Sequence, residues 1–172
     1  VSRAGWNYRY KAAVGLVFIK GTIMRFRGIL IANRGEIAIR ISRACADLGV
    51  PCVAIFSHDD KDSLHVKMAD DAVELSGAGA SSYLDIDAVL QVAQETGCDA
   101  VHPGYGFLSE RADFAEKCNA RGITFIGPES HHLRLFGDKA AARSAAQNVG
   151  VPVSSGTFGA VSLEQAEEFF HT

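Results

Sequence analysis

Short apolar runs alternate with amphipathic segments along most of this chain. Residues 29–32, 53–56, 72–75, 100–101 and 123–126 read as five strands, built mainly from Ile, Val, Leu, Ala and Phe. Runs this short, with few polar breaks, suit strands buried on both faces of a sheet. Between them the period changes. Over residues 36–48, Ile37, Ile41, Ala44 and Leu48 recur at helical spacing, and Gly49 closes the segment. A short helix is expected around 63–68, behind Asp59, Asp60 and Asp62. Carboxylates at a helix start offset its dipole, and the spacing of these three matches no calcium loop. Asp85 caps a helix over 86–95, and a further helix over 111–121 stops at Gly122. The Gly- and Ser-rich segment 76–82 reads as a flexible loop.

Strands separated by helices of this length predict βαβ units with right-handed crossovers. The expected fold is therefore α/β, a parallel sheet with helices on both faces. After Gly127-Pro128 the pattern turns helical, first over 129–135 and then over 139–149. Asp138 is placed to cap the second of these, and Gly150 and Pro152 end it. Ser162-Leu163-Glu164-Gln165 is a capping-box signature that opens one more helix. The organisation expected is a sheet domain over 28–136, then linker helices and the start of a second domain over 137–172.

Composition narrows the function classes. A net charge of −3 over 172 residues gives no reason to expect a nucleic-acid partner. No apolar run is long enough to span a bilayer. The four cysteines are scattered with no C-x-x-C pair, which reads as reduced intracellular thiols in a core. The six histidines are expected to form no metal site, and adjacent His131 and His132 to point in different directions into solvent. Residues 1–27 contain Arg and Lys but no Asp or Glu. They read as a basic leader or a vector-derived extension. The expected location is cytoplasmic, or the mitochondrial matrix if 1–27 is a transit peptide.

Two strand-to-helix crossings carry the candidate chemistry. The first is Ile29-Leu30-Ile31-Ala32-Asn33-Arg34-Gly35-Glu36-Ile37-Ala38. It lacks the G-x-G-x-x-G of a dinucleotide loop, so NAD is not expected, and Arg34 and Glu36 read as an ionic network fixing the turn. The second is His102-Pro103-Gly104-Tyr105-Gly106-Phe107-Leu108-Ser109-Glu110. Glycines there permit close backbone approach, and amides at a helix start favour an anion. The run is either a ligand-facing loop at the carboxyl edge of the sheet or a tight turn whose glycines relieve crowding. His102 suits a positioning role better than acid–base chemistry.

These two runs, with Phe136-Gly137-Asp138-Lys139 in third place, resemble the amino-terminal domain of biotin carboxylase, over residues 27–170. That family includes the biotin-carboxylating part of acetyl-CoA, propionyl-CoA and pyruvate carboxylases. The resemblance implies a Rossmann-like domain of the kind that precedes an ATP-grasp domain. It also implies use of ATP, Mg2+ and bicarbonate to carboxylate biotin on a carrier domain or subunit, with a carboxyltransferase as the further partner. By the same resemblance Lys139 contacts ATP phosphate and Tyr105, between Gly104 and Gly106, lies beside biotin. The bland alternatives are a solvated lysine and a ring packed over its own loop. Arg43 and Asp47, four apart on one helix, are implied to lie in a homodimer interface. The family's remaining catalytic groups lie beyond Thr172, so no catalytic residue is assigned and the chain alone is expected to be inactive. A stand-alone nucleotide-binding or dimerisation module is the alternative. A relative of the large subunit of carbamoyl-phosphate synthetase is a weaker one.

Overall fold

The computed structural model describes residues 17–19, 22–24, 26–156 and 161–171. Its centre is a five-stranded parallel sheet of β3 (Ile29–Ile31), β4 (Cys52–Phe56), β5 (Asp71–Glu74), β6 (Ala100–His102) and β7 (Thr124–Phe125). The order is β5-β4-β3-β6-β7, and every neighbouring pair is parallel. Two short strands, β1 (Val17–Ile19) and β2 (Thr22–Met24), pair antiparallel with each other in a separate ribbon. The sequence pattern does not predict that ribbon, which falls within the segment read as a basic leader. Residues 1–16, 20, 21 and 25 of that leader lie outside the described residues.

Alternation along the strands explains why both faces need covering. Ile29 and Ile31 point into a core with Ile37, Ala38, Ile41 and Cys45 of α1 (Gly35–Leu48). Leu30, Val53, Ile55 and Val101 point the other way. They meet Val89, Leu90 and Ala93 of α3 (Ile86–Glu95), with Phe114, Ala115 and Cys118 of α4 (Ala112–Ala120). Successive strand side chains face opposite sides, so a central strand needs a helix on each. The short α2 (Leu64–Met68) packs beside α1.

Two expectations need correction. The buried stripe of α1 centres on Ala38, Ile41 and Cys45, which puts Ala44 and Leu48 on its margin, with Leu48 47% exposed. The expected flexible loop at 76–82 leads into a 3₁₀ turn, Ala80–Leu84, that carries the fully buried Tyr83. Its ring centre lies 5.4 Å from that of Phe107.

Beyond the sheet come α5 (Ser130–Gly137), α6 (Lys139–Asn148) and α7 (Leu163–His171). Asp138 caps α6 by accepting from the Ala141 amide at 2.9 Å. Ser162 and Gln165 exchange the two bonds of the expected capping box, at 2.9 and 3.3 Å. All four cysteines are free and buried. Among the described residues no helix is long and apolar enough to cross a membrane.

Candidate functional site

β3 and β6 lie side by side, yet the chain leaves them in opposite directions. From β3 it passes through α1 to β4, and from β6 through α4 to β7. Loops that diverge this way leave a crevice at the carboxyl ends of the two strands, where open parallel sheets hold ligands. Both motif loops open there.

One side chain joins them. Asn33, 2% exposed, donates from Nδ2 to the carbonyls of Pro103 at 2.7 Å and Tyr105 at 2.9 Å. Its Oδ1 accepts from the Arg34 amide at 2.9 Å. A buried amide in this place satisfies loop carbonyls that no strand reaches. The Ala32 amide extends the ladder by donating to the His102 carbonyl at 2.9 Å.

The glycines differ in why they are needed. Gly104 and Gly106 hold φ of 66° and 67°, the left-handed region that disfavours a Cβ. A Cβ at Gly104 would stand 2.5 Å from Cγ2 of Ile37 and 2.8 Å from Nδ2 of Asn33, whereas one at Gly106 would meet nothing within 4 Å. Crowding therefore accounts for the first glycine and backbone conformation alone for the second. His102 accepts from the Gly104 amide at Nδ1, 3.0 Å away, so the imidazole is neutral with its proton on Nε2. Burial pushes its pKa below the usual histidine range.

Tyr105 projects outward, 64% exposed, and its hydroxyl donates to Oε1 of Glu36 at 3.3 Å. Glu36 thus serves the glycine loop, not Arg34. The loop leads into a helix where the sequence predicts one, with Arg111 as the residue before α4. It first makes a turn in which the Ser109 and Arg111 amides donate to the Gly106 and Leu108 carbonyls at 2.9 and 3.1 Å, and α4 begins at Ala112. Those two amides are engaged within the turn, and the loop presents the exposed Tyr105 ring.

An ionic cluster centred on the buried Asp60 lies beside the first motif loop. Asp60 accepts from Nη2 of Arg34 at 2.7 Å, from the Tyr83 hydroxyl at 2.7 Å, and from the Ser57 and Ser63 hydroxyls, both at 3.3 Å. The Arg34 guanidinium also lies 5.7 Å from the Tyr83 ring centre. Burial and the Asp60 contact raise the Tyr83 pKa to about 12, so its hydroxyl stays protonated as a donor. The sequence reading had given Asp60 to a helix dipole and left Tyr83 unassigned. Neither pairing has a local sequence signal, because Arg34, Asp60 and Tyr83 meet only across three loops.

The other predicted residues stand apart. Lys139 occupies the first position of α6, exposed, and makes no hydrogen bond or ion pair with a described residue. Arg43 and Asp47 are both exposed on α1, as are Arg40, Ala44 and Leu48 on the same side. His131 and His132 are exposed as expected, but they do not diverge: their ring centres are 3.8 Å apart. In the first turn of α5 two rotatable bonds bring the adjacent rings together beside Glu129. A concavity lined by Ala115, Asn119, Ile123, Phe125 and Glu129 contains none of the glycine-loop residues.

A doubly covered parallel sheet, with an exposed tyrosine loop clamped at its switch point, defines an α/β domain of the Rossmann-like class. Residues 25–133 match the family model described as biotin carboxylase, N-terminal domain, and the chain belongs to that family. It is 52% identical over 141 residues to the chloroplastic biotin carboxylase of Arabidopsis thaliana, which covers 81% of this chain and 26% of the relative. Among solved structures, the biotin carboxylase domain of a single-chain bacterial carboxylase superposes with a TM-score of 0.81 at 56% identity, covering 84% of this chain and 34% of that one. The biotin carboxylase domain dimer of Hydrogenobacter thermophilus 2-oxoglutarate carboxylase, in complex with MgADP, ADP and bicarbonate, also gives 0.81, at 41% identity, covering 86% of this chain and 33% of that one. The chain thus spans a minor part of the length of each of these relatives.

Proposed function

We propose that this chain forms the amino-terminal wall of an ATP-dependent biotin carboxylase. The observation that carries the reading is the Asn33 clamp, which holds the two motif loops together and leaves the Tyr105 ring exposed over the crevice. In that role Tyr105 packs beside the biotin head, on a loop shaped by His102, Gly104 and Gly106. An aromatic held by rigid neighbours gives contact area at little entropic cost. Lys139, with no partner among the described residues, is a point charge at a helix start suited to ATP phosphate. When bound, Mg2+ and ATP supply phosphoryl-transfer chemistry to activate bicarbonate, and one lysine is too little to build that centre. The residues described here therefore hold and orient.

The exposed side of α1 carries Arg40, Arg43, Ala44, Asp47 and Leu48 at one-face spacing. We assign it to a homodimer contact. Its partners in turnover would be a biotin carrier and a carboxyltransferase.

A chimera tests the reading. This chain would replace the matching segment of the biotin carboxylase of Haemophilus influenzae, 51% identical over 140 residues. Biotin-dependent ATP cleavage is expected from the chimera and none from the chain alone. Tyr105→Ala should raise KM for biotin, Lys139→Gln should raise KM for ATP, and Arg43→Glu should dissociate the dimer in sedimentation. A folded chimera without activity, or one indifferent to Tyr105→Ala, would refute it.

A further inference from the structure

We propose that Glu129, His131 and His132 form a divalent-metal site on the surface at the entry to α5, taking a late first-row cation such as Zn2+, Ni2+ or Cu2+. One ligating atom from each residue lies within 4.8 Å of the other two. Nδ1 of His131 is 3.3 Å from Oε2 of Glu129, and the two imidazole centres are 3.8 Å apart. With metal–ligand bonds of about 2.1 Å, neighbouring ligands of a tetrahedral ion are about 3.4 Å apart. The Glu129–His131 edge is therefore already at ligating separation. The remaining edges lie within 4.8 Å, between exposed side chains.

The backbone beneath these side chains is fixed. The Glu129 carbonyl accepts from the His132 and Leu133 amides at 2.9 and 3.1 Å, which starts the helix. Arg134 of the next turn pairs with Glu116 of α4 and ties α5 to the sheet domain. The donor set decides the class of ion. Two imidazoles and one carboxylate favour zinc, nickel or copper, whereas Mg2+ and Ca2+ prefer all-oxygen surroundings. Two features limit affinity. His131 and Glu129 side chains are 65% and 77% exposed, so nothing buried orients them. The positive end of α5 also opposes a cation, an effect the Glu129 carboxylate offsets. A micromolar site completed by water is the expected result. The site lies at the entry to α5, away from the glycine loop between β6 and α4, and its ion would brace the start of the α5–α6 pair that carries Lys139.

The test is titration calorimetry of the untagged 172-residue chain with NiCl2 and ZnCl2. It is repeated on His131→Gln, His132→Gln, Glu129→Gln, and the distant controls His58→Gln and His171→Gln. Circular dichroism checks that each variant remains folded, which its exposure favours. One equivalent of metal should bind. Loss of a ligand weakens binding at least as much as loss of a group behind one, on the order of tenfold or more. The controls should bind like the parent. Copper titrated into the same chain should show nitrogen hyperfine coupling that His131→Gln diminishes. The proposal is overturned by absence of saturable binding, by binding that survives the His131→Gln/His132→Gln double variant, or by binding lost equally in a control.

Discussion

Alanine at Gly104 and at Gly106 separates steric from conformational necessity in one loop. Both glycines sit at nearly the same left-handed φ, 66° and 67°, so alanine strains the backbone similarly in each. That strain is about 1–2 kcal/mol. At Gly106 little more is added, because a Cβ there meets nothing within 4 Å. At Gly104 the methyl would press to 2.5 Å from Ile37 and 2.8 Å from Asn33. Neither neighbour withdraws freely: Ile37 is packed in a core cluster, and Asn33 is holding the Pro103 and Tyr105 carbonyls. Overpacking of this kind costs about 1–3 kcal/mol, and a displaced Asn33 hydrogen bond about 1 kcal/mol more. Gly104→Ala should therefore destabilise by about 3–6 kcal/mol and Gly106→Ala by about 1–2 kcal/mol. Domains have only about 5–15 kcal/mol of net stability, so the first variant approaches unfolding and the second does not. Urea titration by circular dichroism reads the difference as a shift in midpoint at constant slope. Equal midpoints for the two variants would refute the packing argument.

The same structure predicts how stability responds elsewhere. Burial lowers the pKa of both His65 and His102, so near pH 6 the unfolded chain binds more protons than the folded one. Stability should therefore fall as pH drops through about 6.5, and the urea midpoint should be lower at pH 5.5 than at 7.5. His102→Gln should flatten that slope, and a slope unchanged by it contradicts the assignment. Asp60→Ala should destabilise by about 1–3 kcal/mol in thermal unfolding, chiefly because it strands the buried Tyr83 hydroxyl, the Arg34 guanidinium being open to solvent. A loss smaller than that of Tyr83→Phe would show that the cluster is not organised around Asp60. Burial raises the thiols of Cys98 and Cys118 to about 11 and 12, so disulfide reagents at pH 8 should modify them only as fast as the chain opens. Rapid labelling of either in the native state would contradict this. Phe136, Val149, Leu163 and Phe170 are 64%, 77%, 77% and 85% exposed, so light scattering should show concentration-dependent self-association. A clean monomer across a wide range would overturn that expectation.

Local pattern carried most of the architecture. Strand and helix follow from the period of apolar residues, and the parallel arrangement follows from their alternation. Caps at Asp85 and Asp138 lay where a short polar side chain preceded a helix, because that bond is made within three residues. The short ribbon of β1 and β2 was less legible, since it lies in the acid-free basic segment that reads as a leader. The same holds for the turn at Ala80–Leu84, where Gly and Ser content pointed to a loop.

The chemistry divides in a similar way. From the sequence alone came the family, the two motif loops, the need for glycine at 104 and 106, and the place of Lys139 at a helix start. Each of these is local in the chain, so spacing preserves it. Only the tertiary structure joined Asn33 to Pro103 and Tyr105, Glu36 to Tyr105, and Arg34 to Asp60 and Tyr83. Those bonds depend on which strands are neighbours and on how side chains turn above them. A hydrogen bond tens of residues long in the chain is a few ångströms long in space, and sequence spacing does not record that distance.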